Sequence, residues 1–384
     1  MRLPVSLGGV RTIAVLELRQ RLRTSRWPIV IGIWFLIIGA VAGLTWWAVS
    51  SQPGEPATTL SGDRGTTLYD VVLFFVLGLG MLVVPSLTAT SINGDREHGV
   101  LATLQTTMLT SADIVIGKLV AAWAISLAFL VAASPFLVWA WIAGGVEIGR
   151  MLLAVAVLVF VLAVVCALGL MFSTLTARTI SSAVLTYLTV AALTFGTVIA
   201  FLLSMPIMAT EQSVRVRTIP ETWYQEHQPT NPDDKTSFVE PTAADCVFVT
   251  REQTILHTER TWWLLALNPF VVVADAAPSR KAVTYLGFEP LQMISDGARS
   301  ARMGSTPEPL NECWPELQPN PGDGDGAQQQ ARQQQLERDR LNRVPAVWPY
   351  GFAFLGVIGA ASTWVAVRRL RTPIRRLPRG TRIA

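Results

Sequence analysis

The sequence predicts an all-α integral membrane protein with six transmembrane helices. Hydrophobic residues make up 51% of the 384 residues and charged residues only 15%, whereas charged residues make up about 25% of a typical soluble domain. A helix needs about 20 apolar residues to cross the bilayer. Six runs of about that length or longer contain no Asp, Glu, Lys, Arg or His, and they cover residues 29–49, 71–89, 119–143, 151–175, 183–208 and 347–367. This pattern excludes a disordered chain and argues against a water-soluble globular protein.

The first 27 residues, which precede the first span, predict a helix that lies on the membrane surface. Ile13, Leu16 and Leu22 recur near helical spacing, and arginines occupy the other side. A helix with one apolar and one basic side is typical of the membrane–water interface. We therefore expect residues 1–27 to form a cytoplasmic amphipathic elbow helix.

The distribution of arginine predicts that both chain ends face the cytoplasm. Residues 1–27 contain six arginines, and the tail at 368–384 contains seven. Lys and Arg next to a span favour the cytoplasmic side, and an even number of spans satisfies both ends. Nucleic-acid binding is the alternative for the basic tail, but arginine beside a span is the ordinary topology signal. The Arg- and Ala-rich, Lys-poor composition indicates a bacterial cell membrane.

The five spans within 28–208 are followed by a long segment, 209–345, which we expect on the extracytoplasmic side of the membrane. Residues 209–346 carry 13 Lys or Arg and 19 Asp or Glu, a net charge of −6, and the rest of the chain carries +10. The segment is long enough for a small domain. The sixth span, within 346–367, follows it and precedes the basic tail.

The outer segment contains Cys246 and Cys313, which can form a disulfide in an oxidising compartment. Two independent thiols are the alternative. Residues 261–274 are apolar but short, and Asn268-Pro269 interrupts them. We interpret them as a re-entrant or interfacial helix, since a seventh span would place the arginine-rich tail outside.

The sequence predicts no metal site. Asp323 and Asp325 lie in a Gly-rich run that lacks the remaining ligands of a calcium loop, so we expect a solvated turn there. His227 and His257 have no metal-ligand spacing with each other or with the cysteines.

The cytoplasmic residues 91–118 predict a helical hairpin between the second and third spans. Asp95 and Glu97 suit the positive start of a short helix, and Leu101 and Leu104 recur at helical spacing. Thr110 and Asp113 form a capping-box variant that begins the third span. Such a small amphipathic helix suits docking into a groove of a soluble partner. A helix that lies on the membrane without a partner is the alternative.

Residues 94–104 and 110–118 together resemble the type-2 ATP-binding-cassette (ABC) exporter permeases. The family pattern is roughly Arg/Lys-Glu-x-Gly-Thr-Leu-Glu-x-Leu, a small polar turn, and Ile-x-x-Gly-Lys at the start of the third span. The matching residues are Arg96, Glu97, Gly99, Leu101, Leu104, Gly117 and Lys118. Val100 and Ala102 depart from it, where Thr and Glu are usual.

The resemblance implies a permease subunit that is not an enzyme. A separate nucleotide-binding subunit would hold ATP and magnesium and would dock on the hairpin, and the chain has no Gly-x-x-x-x-Gly-Lys-Ser/Thr loop of its own. The docking residues would be Asp95, Arg96, Glu97, His98, Leu101, Leu104, Thr107 and Met108. Two permease copies, identical or paralogous, would enclose a pathway in membrane lipid for outward transport of a lipid-like, drug-like or other amphiphilic substrate. No catalytic or substrate-binding residue is assigned.

Two other functions fit a polytopic membrane protein. An ion-coupled transporter usually has acidic, His or Arg residues within its spans, and the six apolar runs contain none. A membrane sensor or assembly factor would bind a ligand through the outer segment, and this function is the main alternative to transport.

Overall fold

We describe a computed structural model that covers residues 6–23, 27–51, 57–97, 109–227, 241–277, 288–304, 310–313, 336 and 339–370. Within these residues, six helices are long and apolar enough to cross a membrane, which confirms the predicted fold class. The helices of the first half are α1 Leu7–Leu22, α2 (span 1) Trp27–Ser50, α3 (span 2) Ala57–Thr88, α4 Ser91–Glu97, α5 (span 3) Ser111–Ala143 and α6 (span 4) Ile148–Leu175. Span 5 consists of α7 Thr179–Ala191, a π-helical turn Ala192–Gly196 and α8 Thr197–Ile207, and span 6 is α13 Trp348–Leu370.

The chain divides into two compact units. We call the first the membrane unit, and it contains Met1–Ile199, Leu264–Ala298 and Ala346–Ala384. We call the second the outer unit, after the segment 209–345 that supplies most of it, and it contains Ala200–Trp263 and Arg299–Pro345. In the membrane unit, spans 2, 3 and 4 form the centre, because 56% of the most apolar 18-residue stretch of each span is buried. In span 1 only 17% of the corresponding stretch is buried, and in span 5 only 22%. These two spans therefore present most of their apolar surface away from the rest of the chain.

The apolar residues after position 261 form two short helices, α10 (Trp263–Ala266) and α11 (Pro269–Ala276). Neither is long enough to cross a bilayer. Asn268 caps α11, since its side chain accepts a hydrogen bond from the Phe270 backbone N–H. Its amide also donates to the Thr194 carbonyl oxygen at 2.7 Å, in the π-helical turn of span 5. A π-helical turn widens the helix and leaves carbonyl groups available, so Asn268 fixes α11 to that site.

The outer unit contains a three-stranded sheet in the order β2-β1-β3. β1 (Ala209–Thr218) is antiparallel to β2 (Val247–Leu256), with Val214 opposite Arg251, and parallel to the short β3 (Leu310–Asn311). The short helix α9 (Glu221–Glu226) follows β1, and α12 (Pro290–Met303) precedes β3. These strands were not predicted from the sequence. The alternation of buried Val214 and Val216 with charged neighbours is the period-two signal of a half-buried strand.

Candidate functional site

The third span begins at the hairpin, and its first turn is capped as predicted. The Thr110 side chain accepts a hydrogen bond from the Asp113 backbone N–H, and the Asp113 carboxylate accepts one from the Thr110 backbone N–H at 3.0 Å. This capping box confirms the predicted start of the helix. Asp113 also accepts a hydrogen bond from the Ser6 backbone N–H at 2.8 Å. One buried carboxylate thus anchors the start of span 3 and the start of α1.

Lys118 lies one and a half turns further along span 3 and joins three elements. Its side chain is 1% exposed. The Lys118 ammonium group forms ion pairs with Glu17 of α1 and with Asp95 of α4, the latter at 2.6 Å. A buried ammonium group is costly unless it is paired and hydrogen-bonded. The two carboxylates supply that compensation, so α1, α4 and span 3 share one buried charge cluster, which we call the Lys118 cluster (Glu17, Asp95 and Lys118).

The elbow helix α1 packs directly on span 3. A Cβ atom at Gly117 would lie 2.8 Å from the Ile13 Cβ and 3.1 Å from the Val10 carbonyl oxygen, so this crossing has room only for glycine. Ile13 is buried at this crossing, whereas Leu16 and Leu22 are about half exposed. The interfacial position expected for α1 stays a prediction. Ile13 faces span 3, and the exposed leucines are available to lipid.

The helix α4 is attached to the ends of spans 4 and 5. The backbone N–H groups of Ile92 and Asn93 donate to the Ser173 hydroxyl oxygen at 3.0 and 3.1 Å. The Thr179 hydroxyl donates to the Glu97 carboxylate at 3.3 Å. Both N–H groups belong to the first turn of α4, where backbone N–H groups have no hydrogen-bond acceptor within the helix. A displacement of α4 would therefore act on spans 4 and 5 as well as on span 3.

The acidic residues of α4 are placed differently from the prediction. Asp95 and Glu97 lie in the last turn of α4, whereas we expected them at the start of a short helix. Asp95 is instead paired with Lys118. Arg96 is in the same turn, and the other predicted docking residues, His98, Leu101, Leu104, Thr107 and Met108, lie outside the described residues.

At the other end of the membrane unit, buried carboxylates bind backbone N–H groups. The Asp275 carboxylate accepts hydrogen bonds from the backbone N–H groups of Val347 at 2.6 Å and Trp348 at 2.8 Å, and from the Ser295 hydroxyl at 3.2 Å. It thereby caps the start of span 6. Asp70 of span 2 accepts a hydrogen bond from the Leu291 N–H at 2.8 Å, at the start of α12.

Asp70, Asp113 and Lys118 change one premise of the sequence analysis. The helices extend beyond the apolar runs, and these three residues are each at most 8% exposed within them. Asp70 and Asp113 act as caps and Lys118 is paired, so each has a structural partner. Buried ionisable residues are therefore present in the spans, and they stabilise contacts between elements.

The two cysteines of the outer segment are joined. Cys246 and Cys313 form a disulfide with a Cα–Cα distance of 5.9 Å, and they pack with Ile219 and Trp223 in a small apolar cluster. The disulfide connects the residue before β2 to the chain that follows β3. It therefore ties together the two outer strands of the sheet.

The two histidines of the outer unit bind other groups. His257 bonds the Thr210 hydroxyl at 2.8 Å and the Glu259 carboxylate at 2.7 Å, and His227 bonds the Trp223 carbonyl at 2.9 Å. Burial acts to raise the pKa of Glu259, but hydrogen bonds from its own N–H and from His257 outweigh it and hold the pKa below the ordinary value. Among the described residues, no group of three His, Cys, Asp or Glu side chains is placed to hold a metal ion.

Glu17 and Ser173 were not predicted from the sequence, and Lys118 had no predicted role. Lys118 belongs to the Gly-Lys motif, so the motif was a signal. Glu17 is the only acidic residue of α1, and a lone carboxylate among arginines was the available sign of a specific partner. Ser173 carries no such signal, because its contacts with α4 are set by packing of distant parts of the chain.

Comparison with known proteins gives one family. A family model described as "ABC-2 family transporter protein" matches residues 11–282. The match includes most of α1, all residues of the hairpin and spans 1 to 5. No curated protein matches the chain.

Proposed function

The chain belongs to the ABC-2 family of transporter proteins, and from this premise we propose that it is the permease of an ATP-driven exporter whose ATPase subunit docks on residues 95–108. Membership makes the chain a permease subunit of an ABC transporter, a membrane component that is not itself the ATPase. Outward transport, the docking residues and a lipid-like, drug-like or other amphiphilic substrate are our proposal.

The Lys118 cluster is the observation that carries the proposed coupling. Residues 98–108 are connected on one side to α4 and on the other to span 3, and Lys118 binds across the two. An ATPase subunit that moves the hairpin would therefore move α1, α4 and span 3 as one body. Rigid-body motion of packed helices is an ordinary way to transmit such a push.

The hydrogen bonds of α4 extend this motion to the remaining spans. Ser173 lies in the last turn of span 4, and Thr179 lies at the start of span 5. A shift of α4 would pull on both through its backbone N–H groups and Glu97. These contacts support an action of the hairpin on spans 3, 4 and 5 together.

The poorly buried spans support assembly with a second permease copy. Span 1 exposes Leu36, Leu44 and Trp47, and span 5 exposes Leu188 and Leu203, each by more than 60%. Apolar surfaces of this kind are covered by lipid or by another apolar surface. We propose that part of them contacts a second copy and the rest contacts lipid.

The orientation follows from the two arginine-rich ends. We propose a bacterial cell membrane in which both termini and the hairpin are cytoplasmic and residues 209–345 are outside. A single cysteine in place of His98 should react with a membrane-impermeant maleimide only in inverted vesicles. A cysteine in place of Gln253, on the exposed strand β2, should react in intact cells. Reaction of the His98→Cys protein in intact cells would contradict the orientation.

The coupling is tested by ATP hydrolysis in the complex purified from its native membrane with its ATPase subunit. Leu101→Asp should abolish substrate-stimulated hydrolysis, because a charge would replace an apolar docking side chain, while Leu101→Met should retain it. Glu97→Ala should also lose stimulation, and Thr179→Ala controls for the internal Glu97 contact. Full stimulation in the Leu101→Asp complex would refute the docking proposal.

A further inference from the structure

An apolar groove of about 450 Å³ lies between spans 3, 4 and 6 of the membrane unit. Small residues of spans 4 and 6 form much of its lining, among them Ala163, Gly359 and Ala360. Phe160 and Trp364 are the large side chains at its two ends. Trp364 is 55% exposed and Ala360 is also exposed, so the groove is accessible from the side of the helix bundle.

The length of the groove matches one leaflet. Its lining on span 6 runs from Gly356 to Val367, which is about 16 Å along a helix that rises 1.5 Å per residue. Half of the hydrocarbon core of a bilayer is about 15 Å thick. The groove also ends close to the start of span 3, since Ala112 and Ile116 line it. It therefore occupies the half of the bundle that carries the hairpin.

The lining of the groove suits a hydrocarbon chain. Apart from Thr363, every residue that lines it is apolar or aromatic. The cross-linking measurement described below distinguishes such a chain from a span of a second permease copy.

A positive charge follows directly after Val367, the last residue of span 6 that lines the groove. The Arg368 guanidinium lies 5.1 Å from the centre of the Trp364 ring, and Arg368 is exposed. Tryptophan and arginine at a span end are typical of headgroup depth. An exposed guanidinium beside an apolar cleft favours an anionic lipid headgroup, because Lys and Arg at a membrane surface attract anionic lipid.

From these four observations we propose that the groove binds an anionic phospholipid of the cytoplasmic leaflet. One acyl chain lies along the small residues of spans 4 and 6, and the phosphate lies at Arg368. The assignment to the cytoplasmic leaflet rests on the orientation proposed above, whereas the choice of an anionic phospholipid does not.

The proposal is tested by photo-labelling of the purified full-length chain in lipid nanodiscs. Two probes with the same diazirine-bearing acyl chain are compared, one with a phosphatidylglycerol and one with a phosphatidylcholine headgroup, and the labelled residues are located by mass spectrometry. The phosphatidylglycerol probe should label residues 160–167 and 356–364 more strongly. Arg368→Gln should reduce that labelling about fivefold, the effect of one arginine on an anionic lipid, and Arg11→Gln on exposed α1 should not.

The second part of the test fills the groove with a large side chain. Ala360→Phe should abolish labelling inside the groove, whereas Ala353→Phe, on an exposed part of span 6 outside the groove, should leave it unchanged. Equal labelling by the two probes, or unchanged labelling in the Ala360→Phe protein, would overturn the proposal. Disulfide cross-linking between Ala360→Cys copies in the same nanodiscs would assign the groove to a second copy and would also overturn it. These measurements need no ATPase subunit and no transport, so they stand or fall separately from the proposed exporter.

Discussion

At the hairpin end of the membrane unit, Lys118 binds two carboxylates from other elements, whereas at the opposite end Asp275 accepts hydrogen bonds from two consecutive backbone N–H groups. The first arrangement joins side chains, which can change partners when helices shift. The second joins a side chain to the start of span 6, and its geometry is fixed by the helix itself. The comparison indicates that the hairpin end is built to move as a connected body and that the opposite end is built to hold the spans in place.

The largest effect is expected from loss of the Asp275 cap. Asp275→Ala leaves the buried N–H groups of Val347 and Trp348 without their acceptor, and we expect a loss of about 3 kcal/mol of stability. Thermal unfolding in detergent measures it. Asp296→Ala, half-buried on α12, is the control and should change stability by no more than about 0.5 kcal/mol. Equal melting temperatures for the two variants would show that the cap does not hold span 6.

The next effect concerns the Lys118 cluster. Lys118→Met removes the cation that Glu17 and Asp95 share and leaves Glu17 only its longer ion pair with Arg21 at 3.7 Å. Because both carboxylates are partly exposed, we expect a loss of about 2 kcal/mol, less than for a fully buried pair. The triple variant Lys118→Met, Glu17→Gln, Asp95→Asn should regain stability to within about 1 kcal/mol of the parent. It should still lack substrate-stimulated ATP hydrolysis, since the hairpin would no longer be bound to α1. Recovery of coupling in the triple variant would mean that the cluster serves stability alone.

A smaller effect is expected where α1 crosses span 3. Gly117→Ala places a Cβ against Ile13 and the Val10 carbonyl, so α1 must shift, and we expect a loss of about 1 kcal/mol. Gly8→Ala is the matched control, because no atom lies within 4 Å of its Cβ position. That change should stabilise α1 by up to about 1 kcal/mol. Thermal unfolding of both variants measures these changes in stability. A Gly117→Ala protein of unchanged stability would show that the crossing has room for a larger residue.

The sequence could predict the features that depend on neighbouring residues. The six spans follow from runs of apolar residues, and the capping box of Thr110 and Asp113 follows from their spacing. The ion pair of Lys118 with Glu17 joins residues 101 positions apart, and the Asp275 cap reaches 72 positions to Val347. Such contacts depend on how spans pack, which no local pattern reports. Strand β1 is an intermediate case, because its alternation was visible but its partner β2 begins 29 residues after it ends.

The smallest effect lies in the outer unit, at the Thr242 and Asp245 turn. Hydrogen bonds from the Thr242 backbone N–H and hydroxyl hold the pKa of Asp245 below its ordinary value. A lowered pKa in the folded chain contributes stability above the ordinary pKa and loses it as the pH falls through the lowered value. Thr242→Ala should therefore raise slightly the midpoint pH at which the outer unit unfolds in acid, near pH 4. Limited proteolysis of the full chain between pH 2 and 5 measures this midpoint, and Thr250→Ala is the control. An unchanged midpoint in the Thr242→Ala protein would show that this cap does not stabilise the outer unit.

The most direct test of the central claim is photo-cross-linking from the hairpin in native cells. A photoreactive amino acid replaces Leu104, and a second protein carries it at Trp364, which faces the groove between spans. We expect the position 104 protein to cross-link to an ATP-binding subunit with a phosphate-binding loop, and we expect no such cross-link from the position 364 protein. Cross-links from position 104 to lipid alone, or to a protein without an ATP-binding site, would contradict the claim.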